Sequence, residues 1–304
     1  MIIWVGRHKA PPAAACKGTS GCDIILGATS CLSRYLLSSL IAVACYLIGA
    51  VVLGSSAYRA DAHLGRGGRL AAAAITLVGL MFHAGSLLVA QREAPGAALS
   101  LGDTASIVGL VIAGAGLYMM LRSRPAGAAA LLLVIAAVLE AGFSRDGRHF
   151  SIAQPGWELT FHVAVATTAF AMLTIGAALA ATQVVVDRRL RSHRPLGWLR
   201  IFSPLESLES GCFQAILAGF LLLTLALVSG AFFIENLFAQ HLVHKVVLAM
   251  VAWVLFGMLL FGRLRFGWRG RRALRWALSG YAALALAYFG SKLVLETLLG
   301  RHWG

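Results

Sequence analysis

Charged residues are scarce in this sequence, and their scarcity excludes an ordinary soluble domain. Only 12% of the 304 residues are Asp, Glu, Lys or Arg, whereas 59% are hydrophobic and the mean hydropathy is +0.81. The apolar residues fall in repeated long runs, which a water-soluble fold could not cover with so little polar surface. The composition therefore predicts a polytopic membrane protein.

Acidic residues are the scarcer of the two charge types. The chain has 12 Asp and Glu against 26 Lys and Arg, which gives a formal net charge of +14. Such an excess can indicate nucleic-acid binding. Here the arginines form short clusters between apolar runs, which is the arrangement that orients membrane proteins. We therefore expect membrane lipid around the protein and no nucleic-acid partner.

No Cys-x-x-Cys pair occurs among the five cysteines, which excludes a zinc ribbon, a thioredoxin-type pair and a covalent haem-attachment motif. A convincing signal peptide is also missing, because the only early apolar run is short and lacks a basic region before it. We expect residues 1–34 to be a disordered tail or a spurious upstream extension. Residues 35–304 are then a single transmembrane domain.

The apolar runs predict an all-α protein with about eight transmembrane helices. Their approximate bounds are 36–58, 70–91, 104–121, 126–143, 157–186, 211–233, 242–261 and 273–299. Before the sixth helix, Ser203-Pro204-Leu205-Glu206 has the serine, proline and glutamate of a helix start and predicts a short surface helix.

The basic residues of the loops predict the orientation of these helices. The loops after helices one, three, five and seven carry 16 Lys and Arg, and the remaining loops with the C-terminal tip carry about five. Because loops rich in Lys and Arg stay in the cytoplasm, both termini are expected on the periplasmic side of a bacterial inner membrane.

Two histidines fall at matching depth under this topology. His83 lies 14 residues beyond Arg69, which places it roughly 9 Å below the outer surface of a hydrocarbon core about 30 Å thick. His162, five residues after Trp157, is about 8 Å below the same surface. His241 and His244 lie at the outer mouth of helix seven, and His302 lies at the outer end of helix eight.

Histidines inside a membrane favour two interpretations. Neutral imidazole is the form that binds haem iron, so His83, His162 and His244 are candidate iron ligands, with His241 and His302 in reserve. Aromatic residues on the same helices supply walls for a porphyrin: Phe82, Phe161, Phe232, Phe233 and Trp253. Alternatively, each histidine forms hydrogen bonds with a neighbouring helix and packs there.

Two other classes of membrane protein lack their usual marks here. No helix carries the pair of widely spaced histidines that a transmembrane di-haem cytochrome places on one helix. A proton-coupled transporter would use carboxylates near the membrane centre, and the candidates Glu140 and Glu296 lie toward helix ends. A transporter of haem or of another small molecule nevertheless remains an alternative.

The second half of the chain resembles a known family. The motifs are Ser229-Gly230, His244-Lys245, Ala252-Trp253, Gly262-Arg263, the turn Gly267-Trp268-Arg269-Gly270-Arg271-Arg272, and Ala287-Tyr288-Phe289-Gly290-Ser291. Phe161-His162-Val163 and Phe82-His83-Ala84 are similar to histidine positions of the same family. Together they resemble the cytochrome c assembly proteins of the haem-handling CcsA and CcmC type, and within them the YpjD/HemX-like inner-membrane branch, over residues 36–300.

The resemblance implies haem held by histidines near the periplasmic face, with apocytochrome c or other cytochrome assembly proteins as partners. The chain departs from that pattern between helices six and seven. A tryptophan-rich loop that presents haem is expected there, and Glu235 to His241 contains no tryptophan. We therefore expect a haem-delivery or assembly factor rather than an enzyme. The alternative is a membrane regulator or scaffold of haem supply that lacks haem lyase activity.

Overall fold

The computed structural model describes residues 21–58, 62–93, 101–122, 125–143, 157–192, 197–202, 205–233 and 240–293. Side chains are described for residues 36–58, 66–89, 104–122, 125–142, 157–192, 199–202, 205–232 and 245–287. Every element in these stretches is helical, which confirms the predicted all-α fold.

Eight α-helices and one short 3-10 helix make up the described part of the chain. The α-helices are α1 (Gly21–Tyr58), α2 (Ala62–Glu93), α3 (Leu101–Leu121), α4 (Ala126–Phe143), α5 (Trp157–Arg191), α6 (Leu205–Phe233), α7 (Gln240–Phe266) and α8 (Gly270–Leu293). The 3-10 helix, Gly197–Phe202, lies between α5 and α6 and packs on α1 and α4.

Most helices are longer than their apolar runs. The bounds of α4 agree with the prediction, but α1 begins at Gly21 and α6 begins at Leu205. The predicted surface helix before α6 is therefore the first part of α6 itself, and Ser203 and Pro204 lie outside the described residues. The difference arises because hydropathy marks only the lipid-facing length, while the hydrogen-bonded backbone continues into the headgroup region.

Six of the described helices are long and apolar enough to cross a membrane: α1, α2, α3, α5, α6 and α7. The apolar stretch of α4, Ala126–Gly142, is shorter. Helix α8 opens with Arg271, Arg272 and Arg275, so its polar start lowers its hydropathy. A polytopic helical membrane protein is confirmed.

The helices form two groups of four. In the first group α1 packs on α2 and α4, and α3 packs on α2 and α4. In the second group α5 packs on α6 and α8, and α7 packs on the same two helices. Contacts of α5 with α3 and α4 join the groups. Short connections make consecutive helices antiparallel, so all eight place their ends in two layers.

The two ends of the bundle have different chemistry. The end at which α5 and α7 finish is named here the arginine end. It carries Arg188, Arg189 and Arg191 on α5, and Arg263 and Arg265 on α7. The histidine end is the opposite one, where α5 and α7 begin. Each of the candidate haem-binding histidines in the described residues lies in the half of its helix toward the histidine end.

Candidate functional site

His83 is the centre of a buried polar cluster that joins the first four helices. Its Nδ1 atom lies 3.0 Å from the hydroxyl of Tyr46, and its Nε2 atom lies 2.9 Å from the hydroxyl of Ser106. The same Nε2 is 2.8 Å from Oε2 of Glu140, and both of these side chains are fully buried. Tyr46, His83, Ser106 and Glu140 belong to α1, α2, α3 and α4, so one cluster links the whole group.

The protons of this cluster can be assigned from its hydrogen bonds. Ser106 donates its single hydroxyl proton to Oε2 of Glu140 at 2.6 Å. Its oxygen must then accept a proton from His83, so Nε2 of His83 carries hydrogen. Nδ1 faces the Tyr46 hydroxyl, either accepting from it or, if the ring is charged, donating to it. In both cases His83 presents no free lone pair to a metal ion.

Glu140 is a carboxylate without full hydrogen bonding. Oε2 accepts from Ser106 and faces His83, whereas Oε1 is buried and accepts no hydrogen bond from any residue in the described part of the chain. A carboxyl group inside a membrane protein is costly unless it is paired, and here the pairing partner is His83. The sequence placed Glu140 toward a helix end, and the structure brings it against the predicted ligand His83.

His162 has the opposite arrangement of protons. Its Nδ1 atom lies 3.0 Å from the hydroxyl of Ser229, and that hydroxyl donates its proton to the carbonyl oxygen of Ala226 at 3.0 Å. With the Ser229 proton on this carbonyl, the Ser229 oxygen accepts from Nδ1–H. This tautomer leaves the lone pair on Nε2, and no residue in the described ranges forms a hydrogen bond with Nε2. His162 is partly exposed, and it thus meets the requirement for a metal-binding imidazole.

Close packing against α6 holds the ring of His162 in place. A Cβ atom at Gly230 would lie 3.0 Å from Cε1 of His162, which is closer than ordinary contact. Only glycine leaves this space, so the imidazole rests directly on the backbone of α6. Gly230 and Ser229 together fix both the position and the rotation of the ring.

Trp253 connects α7 to α6 at a deeper level. Its indole N–H donates to the hydroxyl of Thr224 at 2.9 Å, and its ring stacks on Phe220 with centroids 5.6 Å apart. Thr224 precedes Ser229 by five residues, which puts Trp253 about 8 Å farther along α6 than His162. Trp253 remains 36% exposed, so part of its indole is accessible.

The remaining predicted histidines are placed by the backbone alone. His241 and His244 belong to the first turns of α7, at the same end of the bundle as His162. Their side chains and the whole of His302 lie outside the described residues. His83 and His162 belong to different helix groups and contact different partners, and no cluster of three or more metal-binding side chains occurs among the residues described. Convergence of imidazoles on one iron remains a prediction.

A family model described as "Cytochrome C assembly protein" matches residues 35–299. This chain belongs to the cytochrome c assembly protein family. That membership confirms the resemblance inferred from the motifs around Gly230, Trp253 and the turn from Gly267 to Arg272.

The curated relatives of this assembly protein cover only part of its length. The inner membrane protein YpjD of Escherichia coli is 34% identical over 146 residues, which cover 48% of this chain and 54% of YpjD. The cytochrome c biogenesis protein CcsA of Prochlorococcus marinus is 29% identical over 153 residues, which cover 43% of this chain and 49% of that protein. The chain thus spans about half the length of the curated relatives it matches. No solved structure matches it.

The family, the name of the YpjD relative and the apolar spans together support a multi-pass inner-membrane location for this assembly protein. Sequence reasoning did not find the partners of its histidines. Tyr46, Ser106 and Glu140 around His83 come from three different helices, and Ser229 lies 67 residues from His162. An acid within a transmembrane helix is a known mark of a functional position, and Glu140 carried that signal.

Proposed function

We propose that this member of the cytochrome c assembly family binds haem through His162 near the periplasmic face and hands it on without converting it chemically. The observation that supports this most strongly is the hydrogen-bond chain from Nδ1 of His162 through Ser229 to the Ala226 carbonyl. It favours the tautomer whose Nε2 can bind iron, which is the arrangement that orients metal-binding histidines in proteins. The periplasmic assignment follows from the basic loops at the opposite end.

The residues around His162 fit a haem group. A second imidazole is available on the first turns of α7, from His244 or His241, because α7 begins at the end where His162 lies. Trp253 and Phe232, 36% and 80% exposed, are the aromatic side chains that would flank the porphyrin. Bound haem would supply the iron, and these imidazoles would hold it. The chain's own side chains orient the imidazole and provide apolar surface for a porphyrin.

His83 enters this proposal differently. Both of its ring nitrogens face protein partners, so a ligand role would require the ring to leave Tyr46 or Glu140. We therefore centre the haem site on His162 and assign His83 to the cluster of the first helix group. The sequence-based prediction that His83 binds iron is tested by the same spectra.

The experiment is haem binding by the purified full-length protein. The protein is isolated from haem-replete cells and titrated with haemin, and the Soret band is recorded for the wild type and for His162→Ala, His244→Ala and His83→Ala. We expect His162→Ala to lose the band or shift it toward free haem, and His83→Ala to keep the wild-type band. An unchanged band in both His162→Ala and His244→Ala would overturn the proposal.

A membrane scaffold or regulator is the second candidate function. Two observations favour it: the segment from Glu235 to His241 lacks tryptophan, and His83 packs against polar neighbours as a structural histidine does. This candidate predicts that the purified wild-type protein has no Soret band, while loss of the protein still lowers the level of mature cytochrome c in cells. A haem band that depends on His162 would exclude it.

A further inference from the structure

Two carboxylates at the arginine end each hold two arginines. Glu209 on α6 accepts from Nη1 of Arg263 at 2.6 Å and from Nε of Arg269 at 3.3 Å. Asp187 on α5 accepts from Nε of Arg191 at 3.0 Å, and from Nε of Arg271, on α8, at 3.2 Å. These ion pairs attach the α7–α8 turn to the ends of α5 and α6.

Three of these arginines bind their carboxylate through Nε and leave the terminal nitrogens free. In the described residues, the Nη atoms of Arg191, Arg269 and Arg271 form no hydrogen bond. Their side chains are 64%, 67% and 61% exposed. The terminal nitrogens of a guanidinium form a planar fork whose spacing matches two oxygens of a phosphate. Three such forks therefore face outward, already oriented by an acidic partner.

The surface around these forks has a large excess of positive charge. The end of α5, the end of α7 with the turn that follows it, and the start of α8 contain nine arginines: Arg188, Arg189, Arg191, Arg263, Arg265, Arg269, Arg271, Arg272 and Arg275. At the same end of the bundle, α5 and α6 carry the acidic residues Asp187, Glu206 and Glu209, and two of these are already shared between arginine pairs. Arg265, Arg272 and Arg275 are exposed and form no ion pair within the part of the chain described.

Aromatic residues place this surface at the depth of lipid headgroups. The ring of Trp268 stacks on Phe266 and packs against Trp276, and Arg272 lies over its face at 5.3 Å from the centroid. A Cβ atom at Gly262 would overlap the indole, so the turn folds back on α7 only because glycine stands there. Tryptophan favours the boundary between hydrocarbon and water. The arginines beside it therefore lie at phosphate level.

We propose that this surface, formed by Arg191, Arg265, Arg269, Arg271, Arg272 and Arg275 and named here the phosphate surface, binds the headgroups of anionic phospholipids in the adjoining leaflet. The oriented guanidinium forks match the phosphodiester, and the net charge favours anionic over zwitterionic lipid. Leu264 and Phe266, 87% and 65% exposed, offer apolar contacts for the acyl chains beside it. The inference is independent of haem binding.

Quenching of tryptophan fluorescence tests the proposal directly. The full-length protein in neutral detergent is titrated with brominated phosphatidylglycerol and, separately, with brominated phosphatidylcholine. The Trp268→Phe variant identifies the part of the quenching that comes from Trp268. We expect the anionic lipid to quench Trp268 at roughly ten-fold lower concentration than the zwitterionic one, because several arginines contribute. Equal quenching by both lipids would overturn the inference.

Matched variants locate the effect on the phosphate surface. Arg191→Gln, Arg269→Gln and Arg271→Gln combined remove the three oriented forks and should remove the preference, whereas Arg122→Gln combined with Arg200→Gln, at the same end on α3 and the 3-10 helix, should retain it. If the triple variant does not fold, as judged by helical circular dichroism, Arg275→Gln alone should weaken the preference in part. A preference for anionic lipid that survives the triple variant would exclude this lipid site. Loss of the preference when glycerol phosphate is added at the same concentration as the lipid would exclude it as well. If the surface binds an acidic protein and not lipid, both brominated lipids should quench Trp268 equally weakly.

Discussion

Nε2 of His83 lies 2.8 Å from Oε2 of Glu140, and neither side chain is exposed. The pair links α2 to α4, and its hydrogen bonds to Tyr46 and Ser106 add α1 and α3. A polar contact of this kind has direction and length, so it fixes how four otherwise apolar helices are rotated toward one another. The first helix group therefore depends on a single carboxylate for its register.

Replacing Glu140 by alanine should destabilise the protein strongly. The change leaves His83 and Ser106 buried without their acceptor, and breaking one side of a buried pair costs roughly 3–5 kcal/mol. Glu140→Gln retains an acceptor and should cost less. Thermal unfolding followed by circular dichroism in detergent measures the difference. Ser55→Ala, at an exposed position on α1, is the control and should change stability by no more than about 0.5 kcal/mol. Equal melting curves for Glu140→Ala and wild type would contradict the structural role of the pair.

Ser229→Ala should weaken haem binding without removing it. The variant deletes the group that accepts from Nδ1 of His162, so the ring can rotate and its tautomer is no longer fixed. Loss of such an outer partner lowers metal affinity by roughly 10- to 100-fold in other metal sites. Haemin titration monitored in the Soret region gives the affinity. Ser55→Ala, on the exposed face of α1, is the matched control and should bind as the wild type does.

Gly230→Ala should displace the imidazole of His162 rather than disturb the helix. The added methyl would meet Cε1 at 3.0 Å, and the ring is the part that can move. We expect a several-fold loss of haem affinity together with a changed Soret position. Gly114→Ala on α3 provides the control, because a methyl group there meets no atom within 4 Å. If Gly230→Ala binds haem with unchanged affinity and spectrum, His162 is not an iron ligand.

Trp253 and Thr224 should be coupled in stability. Trp253→Phe removes the indole donor, and Thr224→Val removes the acceptor at nearly constant volume. Each single change should cost about 0.5–1.5 kcal/mol, and the double variant should cost less than their sum, because one hydrogen bond is lost in all three. Urea or thermal unfolding of the four proteins provides the cycle. Strict additivity would show that the bond does not hold α7 to α6.

The sequence was sufficient to locate the helices, because a segment that crosses lipid must be a long run of apolar residues. Long apolar runs located α3 and α4 closely, and the expected depth of His162 selected it as a candidate. The rule says nothing about helix rotation. Tyr46 lies 37 residues before His83 in the sequence, and Glu140 lies on the fourth helix. Whether such residues meet depends on which faces of the helices pack together.

The tautomers illustrate the same limit. His83 and His162 appeared equivalent in the sequence, since both are histidines near the outer boundary of an apolar helix. Each histidine contacts a serine in the structure. Ser106 donates its hydrogen bond to a carboxylate, whereas Ser229 donates to a backbone carbonyl. Only the three-dimensional neighbours decide which ring nitrogen keeps its lone pair.

Each helix group closes its polar contacts within itself. The cluster of His83 stays among α1 to α4, while Thr174 on α5 donates to Tyr281 on α8 at 3.1 Å and His162 bonds to Ser229 within the second group. The groups meet mainly through contacts of α5 with α3 and α4. Within the described residues one continuous apolar core runs from Tyr46 on α1 to Leu284 on α8. The two groups therefore share their apolar packing while these polar contacts stay separate.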